Sequence, residues 1–200
     1  MNLFRNLDVV CVDSGEGPHR LRLAPAGRLR EPLAGLRRAS CLVWTRSDKD
    51  RPSARLTSRV LKGMKPELPV FRAFNRITGF TGLGEAAGTL EPDRFQGEPV
   101  ALLAAIACPE RLRADLESLG VRVVWVATRR DHHAWRPKEI QRLLAAAKKS
   151  GAGAVLTTGK DAVKLDFLKS APLPIYQVNI ITQVVEAEDF EALLDSVPAP

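Results

Sequence analysis

The sequence has no long hydrophobic run and only three cysteines. No stretch approaches the roughly 18 uninterrupted apolar residues of a membrane-spanning helix. Residues 1–5 also lack the apolar segment that predicts a signal peptide. Cys11, Cys41 and Cys108 are far apart, and each lies in an apolar run, which argues against a disulfide framework or a cysteine metal site. The pattern predicts reduced core thiols in a cytoplasmic protein.

Internal repeats and low-complexity tracts are absent as well, which argues against repeat and fibrous architectures. The 200 residues are 45% hydrophobic and 26% charged, the composition of an ordinary globular protein, and this excludes intrinsic disorder. The length is sufficient for one or two domains with a full hydrophobic core.

The net charge of +7 is concentrated in the first third of the chain. Residues 1–65 have a balance of +8, whereas residues 66–200 have a balance of −1. A basic surface of this kind suits nucleic acid, anionic lipid or a phosphorylated ligand, and it is equally typical of a solvated arginine-rich face. Charge alone leaves these interpretations open.

Short apolar runs alternate with helical patterns along the chain. The runs predict strands at residues 7–13, 41–45, 69–74, 100–106, 121–126, 154–157, 175–181 and 183–185. The helical patterns, often with proline at the start, predict helices at residues 52–62, 109–119, 137–149, 160–167 and 189–194. Apolar strands that alternate with helices indicate an α/β fold, with a mostly parallel sheet and helices on both faces.

A glycine-rich stretch at residues 78–88 predicts a turn or linker between two lobes. The predicted domains are therefore residues 1–80 and residues 81–200. In parallel α/β sheets, ligands bind beyond the carboxyl ends of the strands. The polar residues that follow each apolar run are consequently the candidates for chemistry.

The first polar segment follows the strand that ends at Asp13. Within it, Arg28 and Arg30 are candidates to bind a phosphate group through their guanidinium forks, and Glu31 stands where the next helix is predicted to start. A surface loop with no ligand is the alternative interpretation.

The second polar segment contains Asp131, His132 and His133. A histidine beside a carboxylate is a proton carrier whose tautomer the carboxylate fixes. The same three residues are also candidates for a metal cluster, although adjacent residues on one loop rarely complete a coordination sphere. The third interpretation is that they are the polar start of the helix that begins at Pro137.

The third polar segment, T-T-G-K-D-A-V-K at residues 157–164, is similar to a P-loop but does not match G-x-x-x-x-G-K-[ST]. Asp161 stands where that motif needs a hydroxyl group for Mg²⁺, and no other part of the sequence matches the motif. Thr158 or Asp161 is predicted to cap a short helix, with Lys160 facing the ligand cleft.

Taken in order, four motifs resemble those of the tetraacyldisaccharide 4′-kinases, the lipid A 4′-kinase family. Residues 5–13 (R-N-L-D-V-V-C-V-D) match R-D-L-D-[IV]-V-x-[VL]-D, and residues 23–32 (L-A-P-A-G-R-L-R-E-P) match L-L-P-A-G-x-L-R-E-P. A D-H pair follows at residues 131–132, and T-G-K-D-A-V-K at residues 158–164 matches T-E-K-D-A-V-K. The family segment A-G-I-G-x-P-x-R-F corresponds to residues 104–112 without its glycines.

The resemblance implies a P-loop-kinase-like fold and an ATP-dependent lipid kinase. Such an enzyme transfers the γ-phosphoryl group of ATP, with Mg²⁺, to the 4′-hydroxyl of an acylated glucosamine disaccharide phosphate. It also implies a cytoplasmic protein that is peripheral on the inner membrane, with no nucleic-acid partner. The family's P-loop and D-D-G-F-Q-H motif are not in this sequence, so the chain is expected to be the C-terminal portion of such a kinase and inactive alone.

The resemblance also implies roles for individual residues. His132 matches the histidine that helps to activate the hydroxyl group, and Asp131 is its catalytic neighbour. The residues expected to bind substrate are Arg28, Arg30, Glu31, Lys160 and Asp161. No residue is expected to bind a structural metal, and ATP with Mg²⁺ is expected to bind mainly through the family's N-terminal segment.

Two alternatives remain from the residues themselves. One is a metal-dependent phosphoesterase of the Asp-His-His type. Such an enzyme needs further aspartate ligands on earlier strands, and Asp13 has no second aspartate in a D-x-D pair beside it. The other is a basic module that binds nucleic acid or anionic lipid, which the charge of residues 1–65 favours. Neither a stacking-aromatic pattern nor a helix-turn-helix pattern supports the nucleic-acid interpretation.

Overall fold

The computed structural model describes residues 6–14, 21–27, 29–47, 52–86, 88–131, 133–165, 168 and 170–197, without the side chains of residues 52–54 and 56. The chain forms two compact units. The first combines Met1–Arg76 with Thr182–Pro200, and the second is Ile77–Ile181.

The described ranges contain strands, α-helices and short 3-10 helices that alternate along the chain. The strands are β1 (Val9–Asp13), β2 (Cys41–Thr45), β3 (Val70–Leu83), β4 (Thr89–Leu90), β5 (Pro99–Ala104), β6 (Arg122–Thr128), β7 (Ala154–Thr158) and β8 (Ile175–Val184). The α-helices are α1 (Pro52–Met64), α2 (Pro109–Ser118), α3 (Pro137–Lys149), α4 (Gly159–Ala162) and α5 (Ala187–Asp195). The 3-10 helices are Leu33–Arg38 and Gly84–Ala86.

In the first unit, β1, β2 and the start of β3 pair in parallel. Alternate residues of β2 point to one face, where Leu42 and Trp44 pack with Leu61 of α1 and with the 3-10 helix Leu33–Arg38. On the opposite face, the ring of Phe71 lies edge-to-face against Phe190 of α5, with centroids 4.9 Å apart. Both faces of this part of the sheet are therefore in contact with a helix.

In the second unit, β8, β7, β5 and β6 are parallel neighbours in that order. Strand β5 lies at the centre of the core because its alternate residues pack on opposite faces of the sheet. Leu103 packs in the cluster that contains Ile140 of α3, and Leu102 packs in the cluster that contains Leu116 of α2. The predicted mostly parallel sheet with helices on both faces is confirmed.

The predicted linker at residues 78–88 is wrong in its first half, because β3 continues to Leu83. Gly79 has a φ of 146°, and a Cβ there would collide with the carbonyl oxygen of Leu90. Glycine is needed at this position so that β3 can pass close to the backbone of β4. The glycine therefore marks a close backbone approach and not a break in the strand.

Two other predicted boundaries differ from the structure. The two strands predicted at residues 175–185 form one strand, β8. The helix predicted at residues 160–167 is shorter, because α4 ends at Ala162 with Val163 as its C-cap. Residues 166 and 167 lie outside the described ranges. Strands β3 and β8 each run from one unit into the other, so residues 182–200 belong to the same unit as residues 1–76. The predicted domain boundary at residue 80 would place residues 1–76 and residues 182–200 in different domains.

The cysteines are free thiols, but they do not all lie in the core as predicted. Cys41 is fully buried, and this burial raises the pKa of its thiol. Cys108 is half-buried, and Cys11 is exposed on β1, at the end of the described strand order. Within the described ranges, none of the helices has the length and hydropathy required to cross a bilayer.

Candidate active site

The carboxyl ends of three parallel strands meet at one edge of the second unit. Ala104 of β5 is opposite Thr128 of β6, and Leu103 of β5 is opposite Thr157 of β7. The segments that follow these strands therefore start side by side. Two of the three polar segments identified in the sequence, residues 129–133 and 157–164, start at this edge.

Asp161 is fully buried and connects the segments that follow all three strands. Its Oδ2 accepts hydrogen bonds from the backbone N–H of Ala105, at 2.8 Å, and from Oγ1 of Thr158, at 2.8 Å. Its Oδ1 accepts from the indole Nε1 of Trp135 at 3.0 Å, and Nζ of Lys164 is 3.8 Å away. Charge-assisted bonds of this kind, around a fully buried carboxylate, hold their partners rigidly.

Thr158 caps the short helix α4. The sequence predicts either Thr158 or Asp161 as this cap. The Oγ1 of Thr158 accepts a hydrogen bond from the backbone N–H of Asp161 at 3.2 Å. Lys160, in the first turn of the same helix, has an exposed side chain. Lys160 and Asp161 are both predicted to bind substrate, but they differ in exposure. Asp161 is fully buried, whereas Lys160 is open to solvent.

The segment that follows β6 is held by Glu139, in the first turn of α3. The two carboxylate oxygens of Glu139 bind different partners: Nε of Arg129 donates to Oε1 at 2.8 Å, and Nε2 of His133 lies 2.9 Å from Oε2. The ring of His133 also packs edge-to-face on Trp135, and its backbone carbonyl accepts from Lys164 at 3.1 Å. Contacts from α3 and from the segment after α4 therefore fix both ends of residues 129–133.

Within this segment, the structure describes Asp131 and His133 but not His132, which lies outside the described residues. Asp131 is exposed, and the imidazole of His133 is occupied by Glu139. Sequence reasoning missed Glu139, Trp135 and Lys164. Lys164 ends the T-G-K-D-A-V-K motif but has no predicted role of its own, and Glu139 and Trp135 belong to no motif. Their contacts join residues that are up to 31 positions apart.

The remaining predicted site residues belong to the first unit. Arg28 lies outside the described residues, whereas Arg30 and Glu31 are exposed. Glu31 forms an ion pair with Arg38, whose Nε is also 3.4 Å from the carboxylate of Asp8. The hydrogen bond and charge of Glu31 raise the pKa of Arg38. Glu31 therefore already has a cationic partner in its own unit.

The first unit has a polar edge of its own, at the carboxyl ends of β1 and β2. Asp13 forms an ion pair with Arg46, a residue with a positive φ of 57°. Ser14 is buried, its N–H donates to the carbonyl of Thr45 at 3.0 Å, and its hydroxyl donates to the carbonyl of Arg46. These contacts fix the start of the segment that leads to the predicted phosphate-binding arginines.

The Glu139 contacts predict a pH-dependent contribution to stability. The hydrogen bond from His133, together with that from Arg129, lowers the pKa of Glu139 against the opposing effect of burial. Because the folded-state pKa is the lower one, the contribution is present above the unfolded pKa of about 4.3 and is lost as the pH falls through the folded value. Glu139→Gln should therefore lower the free energy of unfolding by about 1 kcal/mol near pH 7, and this difference should shrink below about pH 4.

Urea denaturation of the wild-type and variant chains at a series of pH values measures this difference. Glu117→Gln is the matched control, since Glu117 forms an exposed pair with Arg113 on α2, and such pairs contribute little at any pH. A constant difference for Glu139→Gln down to pH 3 would contradict the assigned role of the carboxylate.

The described residues do not form an ATP–Mg²⁺ site. Asp161, the buried carboxylate at the strand edge, has both oxygens bound to protein donors, and the hydroxyl of Thr158 donates to it. Across the same ranges, no group of three or more His, Cys, Asp or Glu side chains is arranged to hold a metal ion.

The fold and this edge define an α/β protein with the architecture of a P-loop-like kinase. Its candidate site segments, residues 129–133 and 157–164, follow the carboxyl ends of parallel strands, where ligands bind in folds of this class. The family model for tetraacyldisaccharide-1-P 4′-kinase (LpxK) matches residues 1–199, and the chain belongs to this family.

Curated relatives agree with this assignment. The chain is 31% identical over 198 residues to the tetraacyldisaccharide 4′-kinase of Geobacter sulfurreducens, an alignment that covers 98% of this chain and 52% of the relative. It is 29% identical over 199 residues to that of Syntrophus aciditrophicus, with 96% and 53% covered. The chain thus spans about half the length of the curated relatives it matches.

A solved structure supports the fold. The crystal structure of LpxK from Aquifex aeolicus in complex with ATP superposes with a TM-score of 0.62 at 22% sequence identity. The match covers 97% of this chain and 53% of that chain.

Proposed function

We propose that this chain is part of an ATP-dependent lipid kinase that phosphorylates the 4′-hydroxyl of a tetraacylated glucosamine disaccharide 1-phosphate. In the reaction, the hydroxyl oxygen bonds to the γ-phosphorus, the bond from that phosphorus to the bridging oxygen breaks, and ADP leaves. The proton of the hydroxyl goes to a base. Family membership and the four ordered motifs support the proposal.

The observation that carries the proposal is the way in which residues 129–133 are held. Glu139 binds at both ends of this segment, Lys164 binds its backbone, and Trp135 links it to buried Asp161. Catalytic groups require a rigid support of this kind to reach productive geometry. We assign His132 as the base, with Asp131 beside it, and Glu139 as a positioning residue.

The predicted substrate-binding residues differ in whether their side chains are free to contact a substrate. Lys160 and Arg30 are exposed cations suited to an anionic acceptor, and Arg28 has the same chemistry. Glu31 keeps its proposed substrate role only if a substrate group displaces or joins its pair with Arg38. We reassign Asp161 from substrate binding to positioning, because hydrogen bonds within the protein occupy both of its carboxylate oxygens.

The proposed function requires ATP as the phosphoryl donor and Mg²⁺ as its metal ion, and no group of three or more His, Cys, Asp or Glu side chains among the described residues is arranged to hold a metal ion. We propose that residues 1–200 alone do not hydrolyse ATP above background, since electrostatic stabilisation of the phosphates dominates this chemistry and no G-x-x-x-x-G-K-[ST] segment is present. The proposed location is the cytoplasmic periphery of the inner membrane, where a lipid-linked acceptor is accessible.

The test uses the gene at its own chromosomal locus, so that residues 1–200 stay in whatever protein the cell makes. Membrane extracts receive γ-labelled ATP, Mg²⁺ and tetraacyldisaccharide 1-phosphate, and the label at the 4′ position is measured. We expect labelling that disappears when the gene is deleted and returns with a plasmid copy. Full labelling in extracts of the deletion strain would contradict the proposal.

The alternative of a nucleic-acid-binding module is favoured only by the basic charge of residues 1–65. A steep salt dependence of oligonucleotide binding by the purified chain would support it. The Asp-His-His phosphoesterase has less support, because no group of three or more His, Cys, Asp or Glu side chains in the part of the chain that the structure describes is arranged to hold a metal ion.

A further inference from the structure

Helix α1 of the first unit has one buried side and two distinct exposed stripes. Thr57 and Leu61, 0% and 4% exposed, form the buried side. The helix contains no acidic residue between Pro52 and Met64. The charged side chains of this helix are therefore all basic.

The first stripe is basic. Arg55, Arg59 and Lys62 are spaced four and three residues apart, so they lie in one row along the helix, and all three are exposed. They form one wall of an open groove of about 510 Å³, whose other wall includes Trp44 of β2 and Val70 of β3.

The acidic residue in this groove, Glu186, is already paired. Its carboxylate accepts hydrogen bonds from the backbone N–H of Arg72, at 2.7 Å, and from Nε of the same residue, at 2.6 Å. These bonds lower the pKa of Glu186 in spite of its burial. The charges of Glu186 and Arg72 offset each other, so Arg59 and Lys62 give the groove a net positive charge that suits a phosphate group.

The second stripe is apolar. Val60 and Met64, four residues apart, are 41% and 37% exposed. Between the two stripes lies Gly63, which has no side chain and no atom within 4 Å of the place where a Cβ would be. Exposed aliphatic side chains beside a row of Lys and Arg are typical of a helix that lies in the interface of a bilayer. A bound nucleic acid would leave these aliphatic groups in water. The combination of a basic stripe with an adjacent apolar stripe therefore favours a lipid partner.

We propose that α1 is an interfacial helix that docks the first unit on a bilayer of anionic phospholipid. The basic stripe binds lipid phosphates in and beside the groove, while Val60 and Met64 enter the boundary of the acyl chains. The assignment deepens the proposed function, on which it rests for a membrane-borne acceptor, by naming the surface that meets the membrane.

The test is sedimentation of the full chain with phosphatidylcholine vesicles that contain or lack phosphatidylglycerol. The wild-type chain should bind only the anionic vesicles, and added salt should weaken the binding. The variant R55Q/R59Q/K62Q should bind about 100-fold more weakly, from about 1 kcal/mol for each basic residue at the surface. V60S/M64S should lose about tenfold in affinity with its charge unchanged.

The matched control is R142Q/K148Q/K149Q, which removes the same number of exposed positive charges from α3. It should bind within about twofold of wild type, because α3 has no exposed aliphatic stripe beside these cations, and far-UV circular dichroism confirms that each variant is folded. Equal loss in the control, or wild-type binding by the α1 variant, overturns the proposal. So does oligonucleotide binding that depends on the α1 cations but not on Val60 and Met64.

Failure here is separable from failure of the kinase proposal. Phosphoryl transfer to an acceptor dispersed in detergent does not require vesicle docking. If the chain fails to bind anionic vesicles while the labelling assay still depends on the gene, only the α1 assignment falls. If vesicle binding depends on α1 but labelling does not depend on the gene, the kinase proposal falls alone.

Discussion

Replacing His132 with alanine at the chromosomal locus is expected to lower the kcat of phosphoryl transfer by about 10²–10⁴-fold. This range is the usual contribution of a positioned general base. The KM for ATP should change little, because the proposed role of His132 is towards the acceptor hydroxyl. The measurement is the rate of 4′ labelling at saturating ATP and acceptor, with enzyme purified from the altered strain.

The neighbouring residues provide the matched variants. His133→Ala should have a much smaller effect on kcat, since its imidazole binds Glu139 and contributes by holding the segment. Asp131→Asn should fall between the two if the carboxylate orients the base. A His132→Ala enzyme that keeps near-full kcat while His133→Ala loses it would show that the wrong imidazole is assigned. If neither change matters, the segment is structural and the proposed catalysis fails.

Replacing Asp161 with alanine is expected to lower the free energy of unfolding by about 3–5 kcal/mol. The substitution leaves the buried N–H groups of Ala105 and Trp135 without an acceptor, and each such loss costs about 1–3 kcal/mol. It also leaves the ammonium group of Lys164, half-buried and 3.8 Å away, without its carboxylate. Urea denaturation of the purified chain measures the change.

Lys160→Ala is the control for Asp161, because it alters the adjacent residue in the same helix. Its side chain is exposed, so the free energy of unfolding should stay within about 0.5 kcal/mol of wild type. Phosphoryl transfer by enzyme that carries the same change at the chromosomal locus then reports on substrate binding without a change in stability. Equal denaturation midpoints for Asp161→Ala and wild type would show that the buried network does not support the strand edge.

The fold was predictable where residue pattern and burial agree. The apolar residues of β5 and β7 indicate strands with both faces covered, and helices α2 and α3 cover those faces. Proline at the first position of α2 and α3 marks both starts correctly, because it fixes φ and its missing N–H has no partner there in any case. Local chemistry determines these elements, so local reasoning finds them.

The errors lie where a distant contact determines the backbone. Gly79 indicates a turn on local grounds, but it is required by the carbonyl oxygen of Leu90, eleven positions further on. Cys11 lies in an apolar run yet is exposed, whereas Val43, the residue opposite it on β2, is buried. Neither the identity nor the spacing of neighbouring residues contains this information.

The sequence by itself determined the class of the sheet, the family and the segment that carries Asp131 and His132, since apolar periodicity and ordered motifs are properties of the chain. Only the tertiary structure decided what each polar residue does. Asp161 and Lys160 are adjacent in a motif, yet one is buried among donors from three strand ends and the other faces water. Glu139 carries no motif, yet it binds both Arg129 and His133. The physical reason is that hydrogen bonding and burial depend on which segments the sheet brings side by side, and this pairing is not local in the sequence.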